Sequence, residues 1–199
     1  MSQQPPERCQ SPRCRARRKQ ILDAAAACFA REGFHGASIA SLSKSAEMSP
    51  GHIYHFFENK EAIIAALIEQ RLERSLEIAR QFESAEDIFQ AMIERVDIGL
   101  EEKTDPSNAA LELEILAEAA RNPRVAALVR EADSVRRARF EGLIQRARRG
   151  RAGDGGSEAA VTEVLIALFE GLAARSVSHP DLDRDALMPV LRTAVRALI

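Results

Sequence analysis

Apolar residues recur along this 199-residue chain at three- and four-residue intervals, the spacing of one helix face, in block after block. Ile21, Leu22, Ala25, Cys28 and Phe29 form the first stripe, on a helix expected from about Arg15 to Glu32, with Gly33 placed to cap it. Ser38 is a suitable N-cap for a short second helix, about Ile39–Ser45, with Ile39, Leu42 and Ala46 pointing inward. After a break at Glu47-Met48, Ser49 caps a third helix whose first position is Pro50, where a missing N–H costs nothing. Ile53, Phe56 and Phe57 anchor it. Asn59 caps a fourth helix that opens with Lys60-Glu61 and buries Ile63, Ile64, Leu67, Ile68, Leu72 and Leu76.

The remainder repeats this grammar. Ser84-Ala85-Glu86-Asp87 reads as a capping box for a helix reaching about Glu102. Asp105-Pro106 opens the next, to about Arg121, and Asn122-Pro123 opens a long one, to about Arg149. Gly150 to Gly156 is a flexible, glycine-rich connection. Ser157 caps an apolar helix through Val177, and a last helix runs from about Arg184 to Ile199, with Pro189 marking a kink or a later start. The pattern predicts an all-α protein of about nine helices, with no strand and no repeat. Its expected parts are a basic tail at 1–14, a three-helix domain at 15–60 and a helical bundle at 61–199.

Composition supports this reading. Apolar residues make up 46% of the chain, enough for a core, while aromatics are 5% and Trp is absent. Ala, Leu, Arg and Glu favour helix. The formal charge of −2 conceals an asymmetry: residues 1–60 hold nine Lys/Arg and five acids, a net of +4, which leaves −6 on the rest. A basic N-terminal part on an acidic body points to a polyanion met by the N-terminal part alone. Cys9, Cys14 and Cys28 are too few, and odd in number, for a disulfide framework; Cys28 belongs to a core face, and Cys9 and Cys14 are expected as exposed tail thiols. The N-terminus lacks a signal-peptide core, and the longest apolar run, Ala62 to Ile68, is far short of a bilayer span, so a cytoplasmic, soluble protein is expected.

Residues 38–57 have the mechanics of a helix-turn-helix, in which one short helix braces a second that enters the major groove. Ile39, Leu42, Ala46, Met48 and Ile53 lock the two helices. Ser49-Pro50-Gly51 makes a slim leading tip, and His52, Tyr54 and His55 offer hydrogen-bonding groups on the outer face. Gly33-Phe34, Ala37-Ser38-Ile39, Ser49 through Phe57 and Asn59-Lys60-Glu61 together resemble the N-terminal signature of TetR-family regulators, over roughly residues 15–70. Residues 113–128, with Ala119-Ala120-Arg121-Asn122-Pro123, are similar to the branch of betaine-type and multidrug-efflux repressors.

The resemblance implies roles. Ser38 and Tyr54 would touch phosphates and Lys60 would meet the DNA backbone. Ser49, Pro50, Gly51 and His52 would read bases, and His55 would contact a base or a phosphate. Arg15, Arg17 and Arg18 would follow the backbone or enter the minor groove. Where the family usually carries Gly in the turn, this chain carries Glu47; a non-glycine can take a positive φ there at a cost of about 1 kcal/mol, which leaves the exact turn geometry, not the motif, open. Ala40 and Ser41 replace charged residues common in the family. His52 and His55, with His35 nearby, have no evident further ligand, so neither a metal nor another cofactor is expected.

In the bundle, Phe82, Phe89, Met92, Leu113, Leu116, Phe140 and Phe169 are candidates for lining a ligand cavity, although each also suits an ordinary core. Glu112, Glu114 and Glu118 read as a solvated helix face rather than a sensor for a cation. Ala167, Gly171 and Ala174 are small enough for a partner helix to approach. With Leu191, Val195 and Leu198 they are candidates for a two-fold interface, as is typical of the family. The expected function is a homodimeric transcriptional repressor released from a palindromic operator by an apolar or amphipathic inducer. The alternative is a helical DNA-binding protein controlled by a protein partner. No arrangement in the sequence calls for catalysis.

Overall fold

A computed structural model describes residues 11–149 and 156–199. Among these residues the chain forms ten α-helices and no strand: α1 Pro12–Gly36, α2 Ile39–Ser45, α3 Pro50–Phe56, α4 Lys60–Glu83, α5 Ile88–Glu94, α6 Val96–Thr104, α7 Pro106–Ala119, α8 Pro123–Arg148, α9 Glu158–Ser178 and α10 Arg184–Leu198. The chain divides into two compact units, Met1–Leu67 and Ile68–Ile199.

The first unit is organised by caps. Ser38 accepts from Ser41 N while Ser41 returns a bond from Ser38 N, which closes a capping box on α2. The Ser49 side chain accepts from His52 N, with Pro50 in the first turn. The core comprises Ile21, Leu22, Ala25, Cys28, Phe29, Leu42, Ala46, Ile53, Phe57, Ile63 and Ile64. Gly33 has φ 73° and bends α1, a conformation that suits a residue without Cβ. Glu47, at φ 53°, is the non-glycine with positive φ among the described residues, at the turn position expected from the sequence. Gln20 Nε2 donates to Ala46 O at 2.8 Å, which ties that turn back to α1.

In the second unit α6, α7 and α8 pack on α9, while α10 packs on α5 and α6. Ile78, Phe82, Met92, Val96, Leu143, Ile144, Val161, Leu165, Leu191 and Val195 share one core.

Several expectations are corrected. Helix α1 begins at Pro12 rather than Arg15, because Ser11 accepts from Cys14 N and Pro12 occupies the first turn. Residues 12–14 are therefore helical, and residues 1–10 of the expected tail lie outside the described residues, as do residues 150–155 of the glycine-rich connection. Cys14 is disulfide-bonded rather than a free thiol. The single helix expected from Ser84 is two. Asp87, not Ser84, caps α5, and Arg95 (φ −100°, ψ 29°) interrupts the run, so that α5 packs on α8 and α6 on α9. Helix α10 starts at Arg184, where expected, behind the Asp183 cap, and carries Pro189 internally rather than starting after it.

Lys60 opens α4 with a cation at the positive end of the helix dipole. Its Nζ donates to Phe34 O and, at 2.8 Å, to Ala37 O, and lies 4.7 Å from the Phe34 ring centroid. Two testable consequences follow from this unit. Glu47→Gly should stabilise the protein by about 1 kcal/mol in urea unfolding, because it removes left-handed strain. Lys60→Met should destabilise it by about 2 kcal/mol, because two carbonyls lose a charged donor; unchanged stability would show that those carbonyls find other partners.

Candidate nucleic-acid interface and ligand cavity

Helix α3 is seven residues long and turns one side inward. Ile53 is completely buried, and Phe57 follows it into the core. The opposite side is polar and open: Ser49, Pro50, Gly51, His52 and His55 are exposed, and Tyr54 is 53% exposed. No side chain closes in on Gly51, so the tip of α3 remains slim. Ser38, at the N-terminus of α2, is exposed as well. The early start of α1 has a functional consequence. Arg13 and Arg17 line one surface groove of about 520 Å³ together with Ser49, His52 and His55. Arg13 thus belongs to α1 and not to the tail expected at 1–14, and the Ser11-Pro12 start signal is what places it there.

Two expected DNA contacts are partly engaged within the unit. Arg18 is half-buried, its guanidinium 5.4 Å from the Phe57 ring centroid. Lys60 commits two of its three N–H donors to the carbonyls of Phe34 and Ala37. Arg17 donates to Gln20 Oε1 but remains exposed. The His52 and His55 rings are 6.4 Å apart, and among the described residues no group of three or more His, Cys, Asp or Glu is arranged to hold a metal.

The second unit contains a two-part cavity. An outer chamber of about 340 Å³ lies among α4, α6, α7, α8 and α9 and has a strongly charged wall. An inner chamber of about 140 Å³ is apolar, with Phe82, Met92, Phe140 and Phe169 in its wall. Of the candidates from sequence, those four line the inner chamber and Leu116 lines the outer one. Phe89 and Leu113 line neither: Phe89 borders a separate surface groove near Arg146, and Leu113 is half-buried on α7.

The charged wall escaped the sequence reading. Glu112 is buried at 8% exposure and accepts from Arg71 at 2.5 Å and from Lys103 at 2.6 and 2.8 Å. Arg136 pairs through Nη2 with Asp133 at 2.6 Å and Glu170 at 2.7 Å. Burial pushes the Lys103 ammonium below its usual range, opposed by Glu112 and assisted by Arg71 and Arg136. Burial disfavours the Arg136 charge too, but its bonds to Glu170 and Asp133 outweigh that and raise its pKa. Glu118 is 1% exposed and accepts from Asn122 Nδ2 at 3.0 Å. Glu112 and Glu118 are thus buried, not solvated as expected, because each has a donor that replaces water.

The expected interface residues fall into two groups. Ala167, Gly171 and Ala174 are exposed along one stripe of α9, flanked by exposed Val164 and Val177. Leu191 and Val195 are buried in the chain's own core, with Leu198 packed against it, because α10 turns its apolar face toward α5 and α6. No helix among the described residues is long and apolar enough to cross a membrane.

Comparison with known proteins agrees with this geometry. A family described as bacterial regulatory proteins, tetR family, matches residues 21–67, and one described as BetI-type transcriptional repressor, C-terminal, matches residues 85–199. The chain is 40% identical over 113 residues to the HTH-type transcriptional regulator UidR of Escherichia coli K12, covering 57% of each chain. It is 35% identical over 100 residues to the HTH-type transcriptional repressor Rv1474c of Mycobacterium tuberculosis, covering 46% of this chain and 54% of that one. These matches span about half the length of those relatives. Among solved structures, Salmonella enterica GusR matches with a TM-score of 0.79 at 29% identity, over 95% of this chain and 97% of that one. The fatty acid degradation regulator FadR of Bacillus halodurans shares the fold, with a TM-score of 0.81 at 20% identity over 94% and 96% of the two chains. An exposed, polar-faced α3 in one unit, a helical cavity in the other and both family matches converge: the chain belongs to the TetR family of helix-turn-helix transcriptional regulators, with a C-terminal part of BetI type.

Proposed function

We propose that the protein is a homodimeric repressor that leaves a palindromic operator when a small molecule enters the cavity of its second unit. The observation that carries this reading is the cavity itself, a charged chamber bordering an apolar one. Solved neighbours are consistent with such a site: one is a FadR from Bacillus subtilis in complex with stearoyl-CoA, and another is a regulator from Saccharomonospora viridis in complex with choline. A cavity of this kind weighs against control by a protein partner alone. Ligand binding shifts the dimer between a spacing of the two α3 helices that fits successive major grooves and one that does not. The shift is only as large as the ligand's difference in affinity for the two states.

On DNA, Ser49, Pro50, Gly51 and His52 face the bases, and His55 meets a base or a phosphate. Ser38, Tyr54 and Arg17 hold phosphates, and Arg13 joins them from the start of α1. Lys60 and Arg18 contribute mainly by bracing the domain. The dimer forms through the exposed α9 stripe rather than through Leu191 and Val195.

A duplex recovered by selection from randomised DNA tests the first part. His52→Ala and Tyr54→Phe should each weaken binding to it by about ten-fold, the worth of one good contact. Arg17→Ala should lower the salt dependence by about one phosphate contact. Unchanged affinity in all three variants would dismiss this face. For the dimer, light scattering should give twice the 21.9 kDa chain mass for the wild type. Gly171→Arg, made where no neighbour lies within 4 Å, should give the single-chain mass; a dimer that survives this substitution would place the interface elsewhere.

A further inference from the structure

The two chambers share Glu102, Lys103, Arg136 and Glu170 in their walls, a common boundary here called the neck. We propose that the ligand is a compact anionic amphiphile, with one ring-sized apolar group in the inner chamber and an oxyanion head, such as a carboxylate, at the neck. This rests on the reading of the cavity as the regulator's ligand site.

Volume sets the apolar end. The inner chamber measures about 140 Å³, and a cavity of roughly 150 Å³ is the size that one benzene ring fills. Phe169 borders it from α9, and its ring rests against α6 because residue 99 is glycine: a methyl group there would lie 2.5 Å from Phe169 Cε1. A long acyl chain therefore does not fit the inner chamber.

Donor supply sets the sign of the head. Formal charges around the neck nearly cancel, but their hydrogen bonding does not. Both oxygens of Glu112 are taken by Arg71 and Lys103, and Glu102 is paired with Arg74. Asp133 and Glu170 share the single Nη2 of Arg136, whose Nε is buried with no hydrogen-bond partner. Lys103 spends its bonds on one carboxylate although an ammonium has three N–H donors. The neck thus has donors in excess of its acceptors, Arg136 Nε lying buried behind it, and burial, Arg71 and Arg136 disfavour the Lys103 charge that Glu112 alone supports. An anion placed there relieves each of these; a cation aggravates them.

Calorimetric titration of the full chain with sodium phenylacetate, benzylamine and sodium dodecanoate tests the proposal. Phenylacetate should bind, and the other two should bind at least about ten-fold more weakly. Gly99→Ala, which drives the Phe169 ring from its place, and Arg136→Gln should each weaken phenylacetate binding by a similar factor. If Arg136→Gln does not fold, the wild-type series and Gly99→Ala decide. Benzylamine or dodecanoate binding as tightly as phenylacetate overturns the proposal, and release of the selected duplex by either would leave the ligand-gated reading standing. Phenylacetate binding without release of that duplex supports the proposal and removes the gating. No binding by any of the three overturns the proposal.

Discussion

Helix α3 cannot stand alone. Seven residues are far fewer than an isolated helix needs in water, so its existence depends on the burial of its inner edge. Ile53 and Leu42, both removed from solvent, hold α3 against α2, and Phe57 closes the end. Ser49 caps the helix, and that burial leaves the rest of the outer edge free to be polar. The same constraint explains the turn. The chain must reverse within Ala46–Ser49, and it does so by placing Glu47 in a left-handed conformation that the bonds around it enforce: Ala46 N to Leu42 O, Glu47 N to Lys44 O and Met48 N to Ser43 O.

Side chains that look suited to DNA from sequence divide according to what this packing needs. Lys60 and Arg18 are cationic and near the right place, yet the carbonyls of Phe34 and Ala37 and the face of Phe57 engage them first. Ser49, His52, Tyr54 and His55 have no comparable role in the core, and they remain exposed. A charge near a reading head is as often a brace for that head as a contact made by it.

What could be read from the sequence was local. Ser38, Ser49, Asn59, Asp105, Asn122 and Ser157 each announce a helix, and in each case the side-chain oxygen accepts from a backbone N–H one turn on. Apolar periodicity located the cores, and Phe82, Met92, Phe140 and Phe169 do border the inner chamber. What could not be read was set by tertiary contacts. Arg95 interrupts a helix with neither Pro nor Gly at the break, where α5, which packs on α8, gives way to α6, which packs on α9. Leu191 and Val195 have the same spacing whether they face a second chain or their own core. The charged wall joins Arg71, Lys103, Glu112 and Arg136 from four helices, and no spacing in one dimension signals that they meet.

Charge distribution binds these parts into one mechanism. The first unit, with nine Lys/Arg against six acids, carries a net +3 that favours a polyanion, whereas the −5 of the second unit disfavours one. The acidic second unit can nevertheless hold cations inside, because Arg71, Lys103 and Arg136 are each matched to carboxylates at short range. Long-range repulsion depends on net charge, whereas recognition at a few ångströms depends on which donors remain unmatched. An acidic surface and a cation-bearing inner wall therefore answer to different distances, and one acidic unit can carry both.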